Sequence, residues 1–289
     1  MVENKSFFGR LFQICNYAFL GAFACATFLP FVHVVASSFA DPAQLARGGL
    51  IFWPEHANLL AYKEIFATPT IFKGLRSSIV ITVIGTFVSL SVTMFTAYPL
   101  AQSRFRSKNI FMGLVIVTLV FDGGMIPTFM VVRDLGLIDS IWALILPVAV
   151  LPAWLIVMRN FIKNIPGELQ EASYIEGAND AQVFFRIVLP LSKPALATFV
   201  VLYGVMYWNS WFSALIYLNN PDWYPIQVIL RQIILSAQGV GTDSLAQSQI
   251  SPMGVRMAVV VVATLPIMCV YPFLQKYFVQ GMMLGSVKG

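Results

Sequence analysis

Acidic side chains concentrate in one short segment of a chain in which only 11% of the residues are charged. Four acids fall within it: Glu168, Glu171, Glu176 and Asp180. Arg186 follows them, and the surrounding sequence is apolar. Charged groups at this density suit polar contacts with another surface, whereas an apolar core does not require them.

The same segment predicts two short helices. Pro166 fits the first helical position of one helix, and Gly177 can adopt the left-handed conformation that ends it. Asn179 or Asp180 can cap the second helix, over 181–188. Three apolar residues share one face of that helix: Phe184, Ile187 and Val188. An apolar stripe with an acidic rim is typical of a docking element, and an ordinary loop on a membrane surface is the alternative.

Aromatic and amide side chains gather in a second stretch, "YGVMYWNSWF", which suits carbohydrate binding. The candidate substrate-path residues here are Tyr203, Tyr207, Trp208, Asn209 and Trp211. Sugars place their C–H surfaces on aromatic rings while amides and hydroxyls bind their OH groups, so Asn209 is a candidate for reading hydroxyls. Trp and Tyr also form belts at membrane interfaces, which is the alternative interpretation.

A single acid, Asp122, interrupts a long apolar run beside Gly123, Gly124 and Pro127. The glycines and the proline predict a locally broken helix, which a membrane tolerates where it lines protein or water. Acids within membrane spans usually face a cavity or a partner. Three roles therefore stay open for Asp122: a helix-packing hydrogen bond, a place in the substrate path, and proton coupling.

The sequence predicts neither a metal site nor a nucleotide site. The three cysteines lie in apolar runs without a CxxC pair, which is typical of small buried residues. His33 and His56 have no Cys, Asp or Glu at metal-ligand spacing. The chain has no GxxxxGK[ST] motif and so lacks the phosphate-binding loop of P-loop proteins.

The apolar share of the chain, 58% of 289 residues with a mean hydropathy of +0.78, indicates a membrane protein. Soluble domains are roughly 45–50% apolar, and one soluble core cannot bury the excess. The net charge is +5. It fits membrane orientation better than nucleic-acid binding, because no basic stripe is interleaved with aromatic residues.

Six stretches are long and apolar enough to cross about 30 Å of hydrocarbon, which takes about 20 helical residues. They are 11–40, 77–103, 110–131, 140–158, 194–221 and 257–275. The third contains Asp122, whose insertion cost of about 2.5–3.5 kcal/mol is offset by the Leu, Ile, Phe and Val residues around it. We therefore predict an all-α integral membrane protein with six transmembrane helices.

Basic residues predict that both termini are cytoplasmic. The short loop "QSRFRSKN" carries three of them, Arg104, Arg106 and Lys108, and short cytoplasmic loops are enriched in Lys and Arg. The acidic segment then faces the cytoplasm too. Two long loops, 41–76 and 219–256, face outward, and the first suits an interfacial amphipathic helix.

The acidic segment resembles the EAA loop of binding-protein-dependent ABC importer permeases. That pattern is EAA, three residues, Gly, nine residues and I-x-L-P. Here 171–173 read Glu-Ala-Ser, Gly177 follows after three residues, and 187–190 read Ile-Val-Leu-Pro after nine more. Ser173 in place of the second Ala is the one departure. The stretches "FDGGMIPTFMVVRDLGLIDSIWALILP" and "FVQGMMLGSVKG" resemble carbohydrate importers of the maltose MalG type, especially those for complex oligosaccharides.

The resemblance implies a type I ABC importer permease fold in three parts. Residues 1–72 would form the N-terminal tail, the first transmembrane helix and the external amphipathic loop. Residues 73–277 would form the permease core of five helices, with a cytoplasmic loop at 166–194, named here the coupling segment, and an external loop at 219–256. Residues 278–289 would form a cytoplasmic C-terminal tail.

The resemblance also implies the partners and the residues that meet them. The coupling residues would be Glu171, Ala172, Ser173, Gly177, Ala178, Phe184, Ile187, Leu189 and Pro190, and the C-terminal contacts with an ATPase would be Gly285 and Lys288. Two ATPase subunits would bind ATP and Mg, so this chain would be non-catalytic and hold no cofactor. A second homologous permease and an extracytoplasmic solute-binding protein would complete the importer in a bacterial cell (inner) membrane. The cargo would be an oligosaccharide, with acidic, alginate-type chains and neutral glycans both open.

Two other classes of function compete with this interpretation. A secondary transporter or channel for a small polar solute would need ion-coupling acids in several spans, and Asp122 alone qualifies. A membrane enzyme would need a catalytic set of Asp, His, Lys or Ser clustered at one membrane face, which the sequence does not provide. Association with an ATPase subunit discriminates the importer from both.

Overall fold

A computed structural model describes residues 7–67, 69–239 and 251–286, and helices dominate all three ranges. No β-strand occurs in these described ranges. The chain divides into two compact units, one with residues 1–69 and 230–265 and the other with residues 70–229 and 266–289. The predicted all-α class is confirmed.

The first unit begins with the long helix α1 (Phe7–Ser38). The short helices α2 (Pro42–Arg47) and α3 (Leu60–Ala67) follow it. Every side chain at positions 11–31 of α1 is exposed. A small apolar core lies beyond that stretch: Ala36, Ala40 and Ile51. None of the described residues therefore covers most of α1, which needs lipid or another chain to cover it.

The second unit contains most of the other helices. In chain order they are α4 (Pro69–Ala101), α5 (Lys108–Val120), α6 (Met125–Asp134), α7 (Trp142–Ile145), α8 (Pro152–Lys163), α9 (Gly167–Ile175), α10 (Asp180–Val183), α11 (Leu189–Leu191), α12 (Lys193–Trp208) and α13 (Trp211–Tyr217). Two further helices have residues in both units: α14 (Ile226–Gly239) and α15 (Pro252–Ser286). Single turns of other helix types occur at Leu146–Val148 and Pro221–Trp223 (3₁₀) and at Phe184–Val188 (π).

Among the described residues, three helical stretches are long and apolar enough to cross a membrane unaided: Phe8–Ser38, Pro69–Ala101 and Pro252–Cys269. Three helix pairs meet the same criterion together but are bent. The bend is 118° between α5 and α6, 58° between residues 142–148 and α8, and 76° between residues 180–191 and α12. Six spans result if each bent pair counts as one.

The third predicted span, 110–131, is therefore not one straight helix. α5 ends at Val120 and α6 begins at Met125, and Asp122 lies in the break between them. Gly124 has a φ of +81°, a left-handed conformation that other residues rarely adopt. The 13 residues of α5 measure about 20 Å, which is shorter than the hydrocarbon core.

The fourth and fifth predicted spans are interrupted as well. The fourth, 140–158, is broken before Pro152, which occupies the first turn of α8 and has no amide hydrogen to continue an earlier helix. The fifth, 194–221, is broken at Asn209 and Ser210, between α12 and α13. Hydropathy predicted the apolar length of these stretches, whereas Gly, Pro and Asn residues determine where the helices break.

The core of the second unit centres on the contact between α4 and α12. Tyr203 and Tyr207 of α12 are almost fully buried there, at 0% and 1% exposure. Their hydroxyls pair with Thr93 and Ser89 of α4, each at 2.7 Å. Burying tyrosine in this way stabilises the fold because each ring packs a large apolar surface into the core while its hydroxyl keeps a hydrogen-bond partner.

Candidate functional site

The coupling segment folds as its residue types predict. α9 ends at Ile175, and Gly177 turns the chain with a φ of +87°. Asn179 caps α10: its side chain accepts a hydrogen bond from the Gln182 amide at 2.9 Å, and the Gln182 side chain accepts one from the Asn179 amide at 2.9 Å. This reciprocal capping box fixes where the second helix begins. Pro166 lies one residue before α9 rather than inside it as predicted.

Beyond α10 the segment continues through a π turn, Phe184–Val188, into α11 and then bends by 76° into α12. Pro190 and Pro194 lie on either side of the bend. π turns are rare and frequently occur at functional sites. Here the turn leaves Phe184 and Val188 on the inner side, where both are buried.

Phe184 is the main anchor of the coupling segment to the rest of its own chain. It is 4% exposed. Its ring lies 5.2 Å from that of Phe95 and 5.1 Å from that of Tyr98, both on α4. Ile187 and Leu189 pack partly buried against the same core. These three predicted coupling residues therefore contact the membrane domain.

The opposite face of the segment is exposed and partly apolar. Ile175 is 88% exposed, and Leu169 and Phe185 are also exposed. Glu171 and Ala172 lie exposed on α9 as well. The remaining predicted coupling residues are at the rim: Ser173 and Ala178 are half-buried, and Gly177 and Pro190 are exposed. An exposed apolar side chain with acidic residues at its rim is typical of a surface that binds another protein.

Polar contacts that the sequence did not reveal join the coupling segment to the residues after α4. The guanidinium of Arg104 donates to the hydroxyl of Tyr174 at 2.8 Å, and that hydroxyl donates to the Asp180 carboxylate at 2.8 Å. Arg104 also forms an ion pair with Asp180. Gln102 donates to the Gln170 side chain at 2.9 Å. The one sequence signal was the basic loop around Arg104, which was interpreted as an orientation signal.

The predicted substrate-path aromatics of α12 lie in the core of the second unit. Tyr203 and Tyr207 have the hydroxyl partners given above, and Trp208 is also buried. The ring of Trp154 meets that of Tyr203 edge-on at 4.6 Å. In this conformation the three rings expose too little surface for a sugar to stack on, and Tyr207 alone of them lines the cleft at the α12–α13 break.

Asn209 and Trp211 instead line a cleft of about 230 Å³ at the break between α12 and α13. The Asn209 side chain donates to the Val205 carbonyl at 2.9 Å, so its amide oxygen is left for other partners. Ser210 donates to the Tyr207 carbonyl at 2.6 Å. The Phe212 ring lies 5.4 Å from that of Trp211. The volume is below the roughly 300–1,000 Å³ of drug-sized ligand sites, so the cleft fits part of a larger ligand.

Asp122, the remaining path candidate, is exposed at the 118° bend. One carboxylate oxygen accepts a hydrogen bond from the Gly124 amide at 2.9 Å and so stabilises the start of α6. Its neighbours Phe121 and Met125 are exposed apolar residues. The predicted broken helix is present, and the role of the acid stays a prediction.

The predicted C-terminal contacts are at the edge of the described chain. Gly285 lies in the last turn of α15, and Lys288 lies outside the described residues. The predicted coupling and path residues thus lie at three places in the second unit: the coupling segment, α12 with the break that follows it, and the α5–α6 bend that carries Asp122.

Comparison with known proteins shows which family this chain belongs to. Residues 94–284 match the family model described as "Binding-protein-dependent transport system inner membrane component". The chain belongs to this family. It is a multi-pass membrane protein and the permease component of an ABC importer, as its EAA-like sequence indicated, and the type I permease fold is confirmed.

Two relatives from Bacillus subtilis (strain 168) match this permease along almost its whole length. Protein LplC is 47% identical over 283 residues, covering 97% of this chain and 96% of LplC. The polygalacturonan/rhamnogalacturonan transport system permease protein YtcP is also 47% identical over 283 residues, covering 97% and 99%.

One solved structure is also similar to this permease over almost its whole length. It is a crystal structure of a bacterial ABC transporter involved in the import of the acidic polysaccharide alginate. One of its chains is 32% identical to this permease and superimposes with a TM-score of 0.89 over 94% of this chain and 98% of that one.

Proposed function

We propose that this permease forms half of the pore of an importer for acidic, uronate-containing oligosaccharides. The main support is the structural similarity of 94% of this chain, with a TM-score of 0.89, to one chain of a transporter involved in the import of the acidic polysaccharide alginate. YtcP, a relative at 47% identity, is named for polygalacturonan, which is also a polymer of sugar carboxylates. Neutral glycans are the alternative cargo.

The cleft at the α12–α13 break is the proposed contact with the sugar. Asn209 presents an amide and Trp211 an indole on opposite sides of a helix break, and both line the same cleft. Amides bind sugar hydroxyls and indoles cover apolar sugar faces, which together suit a carbohydrate. None of the described residues that line the cleft carries a carboxylate, so an acidic sugar meets no like charge from them. Tyr207 lines the same cleft, and its hydroxyl pair with Ser89 holds the ring in place.

The second permease is proposed to cover the surfaces that this chain leaves open. Asp122 is exposed among apolar residues at the bend between α5 and α6. A carboxylate does not face lipid, so in a membrane it faces protein or water. A pore shared with a second permease provides both. The exposed length of α1, residues 11–31, offers a further apolar surface for that partner or for lipid.

The exposed face of the coupling segment is the proposed seat of an ATPase subunit. Ile175 would enter an apolar pocket there, and Glu171 would make charged contacts at its edge. Gly285 and Lys288 would extend the contact at the C-terminus. ATP and Mg would be bound by the two ATPase subunits, and this chain would convert their closure into a change of pore access. The coupling segment and both termini would then be cytoplasmic, and a solute-binding protein would deliver cargo on the other side.

Reconstitution tests the whole proposal. The chain is co-expressed with the second permease and the ATPase of its own organism, purified, and placed in vesicles with the binding protein. We expect the ATPase to co-purify, and ATP to drive uptake of labelled oligogalacturonates over neutral maltooligosaccharides. Uptake of neutral glycans alone would overturn the acidic cargo. Labelling of a cysteine in residues 166–194 from outside intact cells would overturn the cytoplasmic placement.

The alternative considered from the sequence, a secondary transporter with proton coupling at Asp122, is tested in the same vesicles. Asp122 is an exposed acid at a broken helix, and such acids occur in proton relays. A carrier of this kind would accumulate substrate under a pH gradient without ATP. Uptake that requires ATP and persists in Asp122→Asn would exclude it.

A further inference from the structure

The two helices of the coupling segment meet at a turn with little packing of its own. Gly177 is exposed, and none of the described residues would lie within 4 Å of a Cβ built on it. Ala178, the next residue, packs half-buried against the core, and the backbone amides of Gly177 and Ala178 donate to the carbonyls of Tyr174 and Ser173. A segment that transmits force needs a fixed angle between α9 and α10, and side-chain contacts across the turn would add to these local restraints.

A polar cluster bridges this turn. Tyr174 belongs to the last turn of α9 and Asp180 to the first turn of α10, and the hydroxyl of the first donates to the carboxylate of the second at 2.8 Å. Arg104 completes the cluster from outside the segment. It donates to the Tyr174 hydroxyl at 2.8 Å, pairs with Asp180, and places its guanidinium 4.3 Å from the centre of the Tyr174 ring. The Tyr98 hydroxyl lies 3.3 Å from that of Tyr174.

Arg104 and its neighbours connect the cluster to the end of α4. Arg104 lies three residues after Ala101, where α4 ends. Gln102, which is closer to α4, donates to the side chain of Gln170, a buried residue of α9. Arg159 of α8 donates to the Leu100 carbonyl in the last turn of α4 at 3.2 Å. The end of α4 is therefore joined to both helices that enclose the turn and to the helix that precedes them.

The geometry points to a specific role. We propose that Arg104, Tyr174 and Asp180 form a clamp that fixes the bend of the coupling segment and joins it to α4, so that motion of the segment passes into α4 as well as along the chain into α12. This proposal rests on the proposed function of the segment. It makes the three residues positioning residues for transport.

An exposed ion pair alone would contribute little, and the side chains of Arg104 and Asp180 are 51% and 64% exposed. The clamp differs from such a pair because it is a network. Arg104 forms an ion pair with Asp180, a hydrogen bond with the Tyr174 hydroxyl and a cation–π contact with the Tyr174 ring. Tyr174 accepts one hydrogen bond and donates another. Networks of this kind hold geometry better than isolated pairs.

A distance measurement tests the clamp in the permease itself. Spin labels are placed at Glu176→Cys and Asn109→Cys in the full chain, with the native cysteines changed to serine, in lipid vesicles. We expect a narrow distance distribution in the parent, a broad one in Arg104→Gln and Asp180→Asn, and an intermediate one in Arg104→Lys, which keeps charge without the flat guanidinium. Arg106→Gln is the matched control, since Arg106 is exposed in the same loop and no hydrogen bond or ion pair to it occurs among the described residues.

Transport supplies the second measurement. In the reconstituted importer, Tyr174→Phe and Arg104→Gln should lower uptake per ATP hydrolysed by about two- to fivefold, the range expected for losing a networked surface contact, while the ATPase still co-purifies. An unchanged distance distribution in Arg104→Gln would overturn the clamp, and so would unchanged uptake per ATP. The distance measurement needs no ATPase, so it tests the clamp independently of the proposed function. If the proposed function were wrong, no ATPase would co-purify with the parent chain.

Discussion

The hydroxyls of Tyr207 and Ser89 lie 2.7 Å apart in the interior of the second unit. One helical turn away, Tyr203 and Thr93 repeat the pair at 2.7 Å. Numbers rise along α12 as they fall along α4, so the two helices are antiparallel at this contact. A Cβ on Gly85 would lie 2.8 Å from the Tyr207 ring. Close packing of α4 on α12 therefore depends both on paired hydroxyls and on the missing side chain of Gly85.

Gly85→Ala should destabilise the permease. The added methyl group meets a buried ring that is held at its far end by a hydrogen bond, so relief requires moving a helix. Overpacking of this kind typically costs about 1–3 kcal/mol. Gly113→Ala is the control, because a Cβ there has no neighbour within 4 Å, and alanine favours helix. Thermal unfolding in detergent should show a lower midpoint for Gly85→Ala alone, and equal midpoints would contradict the packing argument.

Tyr207→Phe isolates the hydroxyl from the ring. The substitution keeps the packing against Gly85 but leaves the Ser89 hydroxyl without this partner and removes a 3.3 Å contact with the Ile145 carbonyl. We expect a loss of about 0.5–1.5 kcal/mol, the usual net contribution of one hydrogen bond. Tyr17→Phe on the exposed face of α1 should have no comparable effect on the unfolding midpoint. A midpoint equal to that of the parent would show that the hydroxyl pair contributes nothing.

Gly177 should tolerate asparagine better than valine. Its φ of +87° is left-handed, and nothing lies within 4 Å of its Cβ position, so the penalty is conformational, about 1–2 kcal/mol for an ordinary side chain. Asn enters this region more readily than other residues. Uptake per ATP should therefore rank Gly177 above Gly177→Asn above Gly177→Val. Equal activity of the two variants would show that the turn does not need this conformation.

Ile175 and Phe184 should respond in opposite ways although both are apolar residues of the coupling segment. Ile175→Glu adds charge to a side chain that is 88% exposed, so it should abolish co-purification of the ATPase and leave thermal stability unchanged. Phe184→Ala removes a ring buried against Phe95 and Tyr98 and should cost about 3–5 kcal/mol of stability. A stable Phe184→Ala protein that lost the ATPase would place Phe184 on the docking face instead.

The local structure of the coupling segment could be predicted because it depends on nearby residues. Gly177 supplies the left-handed turn and Asn179 the cap, and both effects act within four positions along the chain. The clamp could not be predicted, since Arg104 and Asp180 are far apart in sequence and an arginine in a basic loop also suits membrane orientation. The identity of Phe184's neighbours is equally long-range.

Hydropathy likewise found the apolar stretches but not their bends. A sliding window sums transfer energies and is blind to φ, so it was the Gly123–Gly124 pair and Pro127, and not hydropathy, that predicted the break at the 118° bend. The aromatic cluster of α12 was ambiguous for a related reason: aromatic residues suit both a core and a sugar site. Tyr203 is at 0% exposure while Asn209 is exposed, and only the helix break between α12 and α13 separates these environments.

Asn209→Asp should discriminate the charge of the cargo. The substitution barely changes the size of the side chain but adds a carboxylate to a cleft whose other lining residues are uncharged. A like charge within a few ångströms costs about 1.4 kcal/mol or more in a partly screened site, which is roughly tenfold in affinity. Uptake of oligogalacturonates should therefore fall about tenfold, through a higher apparent KM, whereas uptake of a neutral oligosaccharide should change little. Asn109→Asp, exposed at the start of α5, is the control and should affect neither. Equal losses for acidic and neutral sugars would mean that Asn209 contributes shape or stability, and an unchanged KM for both would remove the cleft from the substrate path.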